Sequence, residues 1–267
     1  MHELNIVAVG SSPLIAAEVQ GLLQEILGNF FTVDTVTTES LQKAAPDTFY
    51  ICANTQGNKL QGLIPQEQLF IWELHPTTRF SLDIAKIPAG SDVYVFNNLM
   101  PYTEILAKEC QSLGIDSLNF HPIAYAEMPP AEVCALLKNA HYIIGVECML
   151  GQEALQSEKF RHALQPDVKI IPGHRSATIQ CVSQLLTAIA EFYLAKFDGA
   201  SDTESNREII KQVITTLKEA ANRAVTSRLG TNAPLPTFEE KMSDGSLAEH
   251  QSMLTYLAQK LAHLSIN

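Results

Sequence analysis

Positive charge is scarce in this chain of 267 residues. Its 18 Lys and Arg residues stand against 29 Asp and Glu residues, which gives a formal net charge of -11 at pH 7. A surface this acidic repels phosphate backbones unless its basic residues are gathered in one place, and the sequence shows no such gathering. We therefore expect no direct binding of nucleic acid by this chain.

Long hydrophobic runs are also missing, although 46% of the residues are hydrophobic. No apolar stretch reaches the roughly 20 residues that a helix needs to cross a bilayer. The N-terminal sequence MHELNIVAVG has neither a basic segment nor a long apolar one, so nothing indicates secretion. We expect a cytoplasmic protein with no membrane partner.

The cysteines form no recognisable pairs. They are odd in number, widely spaced and set in apolar runs without a CxxC motif: Cys52, Cys110, Cys134, Cys148 and Cys181. This usage predicts buried free thiols in a reducing compartment.

Common catalytic motifs are absent as well. The chain has no GxxxxGK phosphate loop, no GxSxG nucleophile elbow and no HExxH motif, and VGSSP offers one glycine where a dinucleotide fingerprint needs three. The candidate metal ligands lack diagnostic spacing: His75, His121, His174, Glu147 and Cys148. We expect a protein that binds a molecule without transforming it, with no catalytic residue, metal or cofactor.

What the chain does contain is a regular alternation of β-branched or aromatic runs with amphipathic segments. The strand candidates begin at Leu4, Phe30, Thr48, Gln68, Val93, Ser117, Tyr142 and Val168. The main helix candidates between them are 12–27, 100–113, 130–139 and 151–164. Such alternation predicts parallel sheets with helices on both faces. The expected fold class is α/β, with two Rossmann-like (flavodoxin-like) lobes.

A turn at Pro88, Ala89 and Gly90 divides the strand candidates into two sets of four. It predicts lobe 1 at about residues 1–85 and lobe 2 at about residues 86–176, with a cleft between them. The apolar segment Ala177–Phe197 predicts a helix that crosses back to cover lobe 1. The two lobes and this helix would form a domain of about residues 1–200.

Residues 201–267 predict a helical C-terminal extension. After a polar linker comes a helix at about Arg207–Arg228, then a loop at Gly230–Gly245, then a last helix that Ser246 and Glu249 open with a capping-box pattern. In that helix the leucines follow a heptad spacing: Leu247, Leu254, Leu257, Leu261 and Leu264. The seam could pack on its own chain or form a homodimer.

Ligands in open parallel sheets sit beyond the carboxyl ends of the strands, where loops lead into helix N-termini. The polar and glycine residues at those predicted positions are the candidate ligand-binding residues. They are Gly10, Ser11, Ser12, Asn54, Thr55, His75, Asn97, Asn98, His121, Glu147, Gly173, His174 and Arg175.

Several of these residues have a purely structural alternative. Ser12, which precedes a proline, fits a helix N-cap, and Asn98 fits the cap of the helix that follows it. A helix cap does not require two adjacent amides, so capping does not explain Asn97. His121 precedes a proline in an extended stretch and fits an ordinary loop histidine.

Glu147 and Arg175 also leave alternatives open. Glu147 ends a very apolar strand, so it either pairs with a cation or points into the cleft. Arg175 lies between a buried strand and an apolar helix, where the helix dipole and the guanidinium would both attract an anion. A salt bridge from Arg175 to Glu147 or to another carboxylate is the structural alternative.

Three segments resemble a known family: VGSSPLIAAEVQGLLQEILG, then LAKECQSLGIDSLNFHP after a strand ending in VFNN, then IIPGHRSATIQCVSQLL. Over about residues 1–197 they are similar to the N-terminal sensory domain of propionate-catabolism activators, found in bacterial enhancer-binding regulators. Asn97 matches the family's strand-ending Asn, Asn98 replaces the acidic residue that follows it, and Gly173 with Arg175 matches its Gly-x-Arg. MPP at Met128 stands where the family has a Pro-Gly-rich stretch.

The resemblance implies a small-molecule sensor in transcription regulation and signal transduction, with an organic-acid anion as a plausible ligand. Asn97, Asn98 and Arg175 would hold the ligand between the lobes. The chain contains no ATPase loop and no DNA-reading helix, so we expect a sensor fragment or a stand-alone regulator. The alternatives are an enzyme with His121 or His174 as general acid or base, and a structural oligomer built on the leucine seam.

Overall fold

A computed structural model of the protein describes residues 4–229 and 245–265. Strands and helices alternate along most of the chain. The strands are β1 (Asn5–Gly10), β2 (Val33–Thr37), β3 (Thr48–Ala53), β4 (Leu69–Trp72), β5 (Leu74–Pro76), β6 (Asp92–Asn97), β7 (Asn119–Ala124), β8 (Tyr142–Val146), β9 (Lys169–Gly173) and β10 (Arg175–Ala177). The helices are α1 (Pro13–Leu27), α2 (Asn54–Leu60), α3 (Thr78–Ala85), α4 (Met100–Ser112), α5 (Pro130–Leu137), α6 (Glu147–Leu150), α7 (Ile179–Phe197), α8 (Glu204–Leu229) and α9 (Leu247–Leu264).

The chain divides into two compact units. Unit 1 consists of Met1–His75 and Ser176–Asn267, and unit 2 consists of Pro76–Arg175. The chain passes from one unit to the other within β5 and within β10, which form a two-stranded sheet of their own. The boundaries differ from the prediction, because α3 had been placed in lobe 1 and belongs to unit 2.

Unit 1 is built on a parallel four-stranded sheet in the order β2-β1-β3-β4. β1 lies inside the sheet, where Ile6 pairs with Val33 on one side and Phe49 on the other. One face of the sheet packs on α1 and α7, behind which α8 and α9 extend the same core. The opposite face forms a smaller cluster that contains Val9, Cys52 and Leu60. Alternate residues of each strand therefore enter different cores.

Helices α8 and α9 belong to the main core of unit 1 and do not form a separate extension. Ile210, Val213 and Leu217 of α8 are fully buried in that core. From the predicted leucine seam of α9, Leu247, Leu254 and Leu261 are buried there too, whereas Leu264 is exposed. The buried leucines of the seam thus pack within their own chain. The predicted capping box of Ser246 and Glu249 is present, and the predicted loop lies, for residues 230–244, outside the described residues.

Unit 2 repeats the design. Its parallel sheet has the order β7-β6-β8-β9, which is the same order, relative to the chain, as in unit 1. One core cluster joins α3 and α4 to the central strands through residues such as Ile84, Leu106, Val95 and Ile144. The predicted α/β fold with two parallel sheets is therefore confirmed. No described helix of either unit is long and apolar enough to cross a membrane.

The predicted helix at 151–164 is wrong. α6 ends at Leu150, Gly151 has an extended backbone (φ -85°, ψ -168°), and the segment continues in turns to a short 3-10 helix at Arg161–Ala163. Leu155 and Phe160 are nevertheless buried, with 0% and 2% of their surface exposed. The spacing of the apolar residues in this segment thus reflects their burial and not a helical conformation.

All five cysteines are free thiols, but they are not equally buried. Cys52, Cys110 and Cys181 are buried, whereas Cys134 and Cys148 are partly exposed. Burial raises the pKa of the Cys52 thiol to about 12. The pKa of the Cys110 thiol is raised to about 11, and burial is the largest cause. These two thiols are therefore poor nucleophiles.

Candidate functional site

Each sheet has a topological switch point, where connections leave in opposite directions and open a crevice at the carboxyl edge. In unit 1 it lies between the ends of β1 and β3, and in unit 2 between the ends of β6 and β8. Eight of the predicted ligand-binding residues lie at or just after these four strand ends or inside the first helical turn that follows: Gly10, Ser11, Ser12, Asn54, Thr55, Asn97, Asn98 and Glu147. Gly173 ends β9, the strand beside β8.

At the switch point of unit 1 the polar groups bond to one another. The Thr38 backbone N–H donates to the Gly10 carbonyl at 2.8 Å, and the Thr38 hydroxyl lies 3.2 Å from that carbonyl and 3.2 Å from Gln56 Oε1. Gln56 is buried with 6% of its surface exposed, and its amide contacts the Thr55 hydroxyl at 3.4 Å. The buried hydrogen-bonding groups of this edge are therefore mutually engaged.

Gly10 permits the close approach of α1 to the end of β1. A Cβ at this position would lie 2.2 Å from the backbone N of Ala16. Ser12 caps the same helix, because its hydroxyl accepts from the Ile15 N–H at 3.4 Å. Gly10 and Ser12 thus have structural roles that account for them without a ligand.

The other predicted residues of unit 1 lie on its surface. Ser11, Asn54 and Thr55 are exposed around the switch point. His75 is exposed in β5, where its Nε2 lies 4.0 Å from Glu73 Oε2. These side chains could contact a ligand at that edge only as part of a solvent-accessible rim.

In unit 2 the adjacent amides Asn97 and Asn98 end β6. Asn97 has 5% of its surface exposed, and its Oδ1 accepts from the Asn98 N–H at 2.7 Å. The Oδ1 atom of Asn98 is buried and has no hydrogen-bond partner among the described residues. Buried amide oxygens are nearly always satisfied in proteins, so this atom marks a place where a donor is missing.

The prediction that Asn98 caps α4 is wrong. The N-cap residue is Leu99, which makes no side-chain cap hydrogen bond. The Met100 N–H instead donates to Glu127 Oε2 at 2.8 Å. A carboxylate from the loop after β7 therefore occupies the positive end of this helix.

Glu147 and His174 come together because they follow the neighbouring strands β8 and β9. His174 Nδ1 lies 2.8 Å from Glu147 Oε2, and both side chains are more than half exposed. Glu147 therefore pairs with the histidine beside Arg175. Arg175 is half-buried at the start of β10, and Gly173 packs so closely that a Cβ would lie 2.8 Å from the Gly145 carbonyl oxygen.

His121 is not at the carboxyl edge, where the sequence had placed it. It is the third residue of β7, paired with Tyr94, and its ring stacks on Tyr94 with centroids 5.0 Å apart. Its Nε2 lies 2.8 Å from Asp92 Oδ1, which is the main reason that the pKa of Asp92 is lowered. The strand candidate that begins at Ser117 included Pro122, as β7 does, and β7 is an edge strand, which can include a proline.

Tyr125 is a residue of this edge that the sequence analysis missed. It follows β7, its ring stacks on Phe96 with centroids 4.9 Å apart, and its hydroxyl donates to Met149 Sδ at 3.1 Å. Burial, with a smaller effect from Cys148, raises the pKa of its phenol. It therefore remains a neutral donor at physiological pH.

Thr38 and Glu127 were missed as well. Thr38 follows β2 and Glu127 follows β7, so both satisfy the strand-end criterion that selected the other residues. The boundaries of these two strands were predicted too early to place them. Applied to the observed strands, the same criterion finds Thr38, Tyr125 and Glu127.

Comparison of this chain with protein-family models, with curated proteins and with solved structures finds no match.

Proposed function

We propose that this protein is a small-molecule-sensing regulatory protein that binds a polar metabolite at the switch point of unit 2. The observation that carries the proposal is the pair of adjacent amides at the end of β6. Asn97 is buried, and the Oδ1 atom of the half-buried Asn98 is itself buried without a hydrogen-bond partner among the described residues. Leaving such a group without a partner costs about 1–3 kcal/mol. A ligand that donates a hydrogen bond there would recover this cost.

The surrounding charges favour a ligand with N–H or O–H donors. Glu127 and Glu147 both carry carboxylates at this edge, and Glu127 already occupies the N-terminus of α4. These carboxylates would repel an anion, and the N-terminus of α4 is already occupied by Glu127. A ligand with N–H or O–H donors could instead donate hydrogen bonds to the carboxylate and amide oxygens. This chemistry differs from the organic-acid anion that the resemblance implies.

The connectivity supports a regulatory role. Gly173 and His174 lead directly into β10, one of the two strands within which the chain passes from one unit to the other. A ligand held at this edge is therefore close, along the chain, to a connection between the units. Binding that favours one conformation of that connection would shift the population of states.

A thermal-shift screen with neutral and cationic metabolites tests the proposal. A true ligand raises the melting temperature of the wild-type protein and of the control Asn139→Ala, an exposed asparagine of the same unit. It leaves Asn98→Ala unchanged. In the absence of ligand, Asn98→Ala should be more stable than the wild type by about 1 kcal/mol, because it removes an unsatisfied buried group. A ligand effect that survives Asn98→Ala would refute the site.

The Glu147–His174 pair favours a second candidate, an enzyme that uses His174 as a general acid or base. A carboxylate within hydrogen-bond distance of an imidazole is the arrangement that orients a catalytic histidine. Turnover of a metabolite mixture by the purified protein, followed by mass spectrometry, would support this function if His174→Gln abolishes it. The matched control is His141→Gln, an exposed histidine 3.8 Å from Asp167. Loss of turnover in both variants, or in neither, would reject it.

A further inference from the structure

Unit 1 contains a cavity of about 160 Å³ that none of the predicted site residues lines. It lies at the amino edge of the sheet, opposite the switch point, since Leu4 and Asn5 line it at the start of β1 and Thr32 lines it just before β2. The last turn of α7 and the first half of α8 complete its wall. An engineered apolar cavity of about 150 Å³ is large enough to hold benzene.

Aromatic rings form much of the lining. Phe30 and Phe31 meet edge to face with centroids 4.9 Å apart, and Phe31 lies 6.5 Å from the ring of Tyr193. Tyr193 in turn stacks on Phe197. Phe30 is 38% exposed, so this side of the lining is open to solvent. Such a wall matches a planar apolar ring in both shape and polarity.

The charge of the lining is positive, in contrast to the rest of the chain. Lys196 contributes an ammonium group, and no Asp or Glu is among the described residues that line the cavity. The chain as a whole carries a net charge of -11. Lys196 Nζ lies 5.3 Å from the ring centre of Phe192, which is outside the lining but meets the lining residue Tyr193 edge to face. An anionic ligand is therefore favoured here.

We propose that this cavity binds a small aromatic carboxylate, with the ring against Phe31 and Tyr193 and the carboxylate on Lys196. The site is independent of the function proposed for unit 2, because its residues all belong to unit 1 and lie at the amino edge of that sheet. It gives the chain a second ligand specificity.

Benzoate is the probe for this site, with benzyl alcohol as a ligand of the same shape but without charge. By isothermal titration benzoate should bind the wild-type protein more tightly than benzyl alcohol. Lys196→Met should weaken benzoate binding about tenfold, which is the loss expected for one charge-assisted contact. Lys260→Met is the matched control, because Lys260 also lies over an aromatic ring, at 5.4 Å from that of Tyr256, and is not in the lining. It should leave benzoate binding unchanged.

The position of the site is tested separately. Benzoate should shift the NMR methyl signals of Ile209, which lines the cavity, and leave those of Ile123 in the core of unit 2 unchanged. Phe30→Ala, a change at an exposed ring, should also weaken binding. Failure of benzoate to bind, or equal binding by the wild type and Lys196→Met, would overturn the assignment. Asn98→Ala should bind benzoate normally, so the two proposals fail independently.

Discussion

The switch points of the two units differ in how their polar groups are satisfied. In unit 1, Gly10, Thr38 and Gln56 bond to one another. In unit 2, with the same strand order, Asn98 Oδ1 is buried with no hydrogen-bond partner in the described part of the chain, and a distant carboxylate caps the helix. The same strand order therefore occurs with two kinds of carboxyl edge. In one the buried polar groups bond to one another, and in the other a buried acceptor is left for a further donor. The position of a crevice follows from topology, whereas its use depends on the few residues that line it.

The two units agree in using glycine where backbone segments come close. A Cβ on Gly10 would lie 2.2 Å from the Ala16 N, and one on Gly145 would lie 2.3 Å from the Phe96 carbonyl oxygen. In both cases the neighbour is backbone, which cannot rotate away. The shared scaffold thus depends on one close approach next to the first strand of each sheet.

The largest expected effect is that of Gly10→Ala and Gly145→Ala. Each should lower the free energy of unfolding of its own unit by about 3 kcal/mol, because the new methyl group collides with backbone. Hydrogen exchange read by mass spectrometry measures the two units separately. Gly21→Ala and Gly151→Ala are the controls, since a Cβ at either position meets no atom within 4 Å. Equal destabilisation of both units by each variant would mean that they do not unfold as separate bodies.

Leu254→Ala should come next, with a loss of about 3 kcal/mol confined to unit 1. Leu254 is fully buried in α9, whereas Leu264, seam residue of the same helix, is 50% exposed. Leu264→Ala should therefore have little effect on chemical denaturation. If Leu264→Ala instead changes the sedimentation of the protein, the exposed end of the seam forms a contact between copies.

The caps of α1 and α4, the helices that follow the first strand of each four-stranded sheet, should differ by a smaller amount. Glu127→Ala should destabilise unit 2 by about 1 kcal/mol, because it removes a charged acceptor from the N-terminus of α4. Ser12→Ala should cost unit 1 less, since its bond to Ile15 is long at 3.4 Å. Glu104→Ala, an exposed residue of α4, is the control. A larger loss for Ser12→Ala in urea denaturation would contradict this ranking.

The smallest effect concerns the pH dependence of unit 2. The hydrogen bond with His121 lowers the pKa of Asp92 in the folded protein. Its contribution to stability should be complete above the ordinary Asp pKa of about 3.9 and disappear as the pH falls through the lower folded pKa. Asp92→Asn should remove this part of the acid sensitivity. Asp116→Asn, another exposed carboxylate of the unit, serves as the comparison, and an identical acid profile for Asp92→Asn and the wild type would disprove the assignment.

The sequence predicted the strands well because most are short buried runs of β-branched and aromatic residues. One exception is β2, which was expected to begin at Phe30 and begins at Val33. Phe31 is buried before the strand starts and Phe30 lines the cavity, so hydrophobicity there reflects packing outside the sheet. The helix predicted at 151–164 was wrong for the same reason, because the apolar residues of that segment are buried without forming a helix.

The site was harder to predict because its contacts are not local. Ser12 caps α1 by accepting from the N–H of a residue only three positions further on, and a contact this local can be recognised in the sequence. Glu127 caps one from 27 residues away, and Glu147 meets His174 only because β8 and β9 are neighbours. The register of a parallel sheet brings such pairs together, and composition and spacing do not encode it.

The discontinuity of unit 1 has a consequence for biosynthesis. A ribosome completes Pro76–Arg175 before it makes α7, α8 and α9, which supply much of the main core of unit 1. The early half of unit 1 must therefore wait with α1 on its sheet but without the three helices that complete this core, while unit 2 can already be folded. Chaperones that bind exposed apolar surface should meet this nascent chain at α1 and β4, which contact α8 and α7 in the folded protein, rather than at any residue of β6.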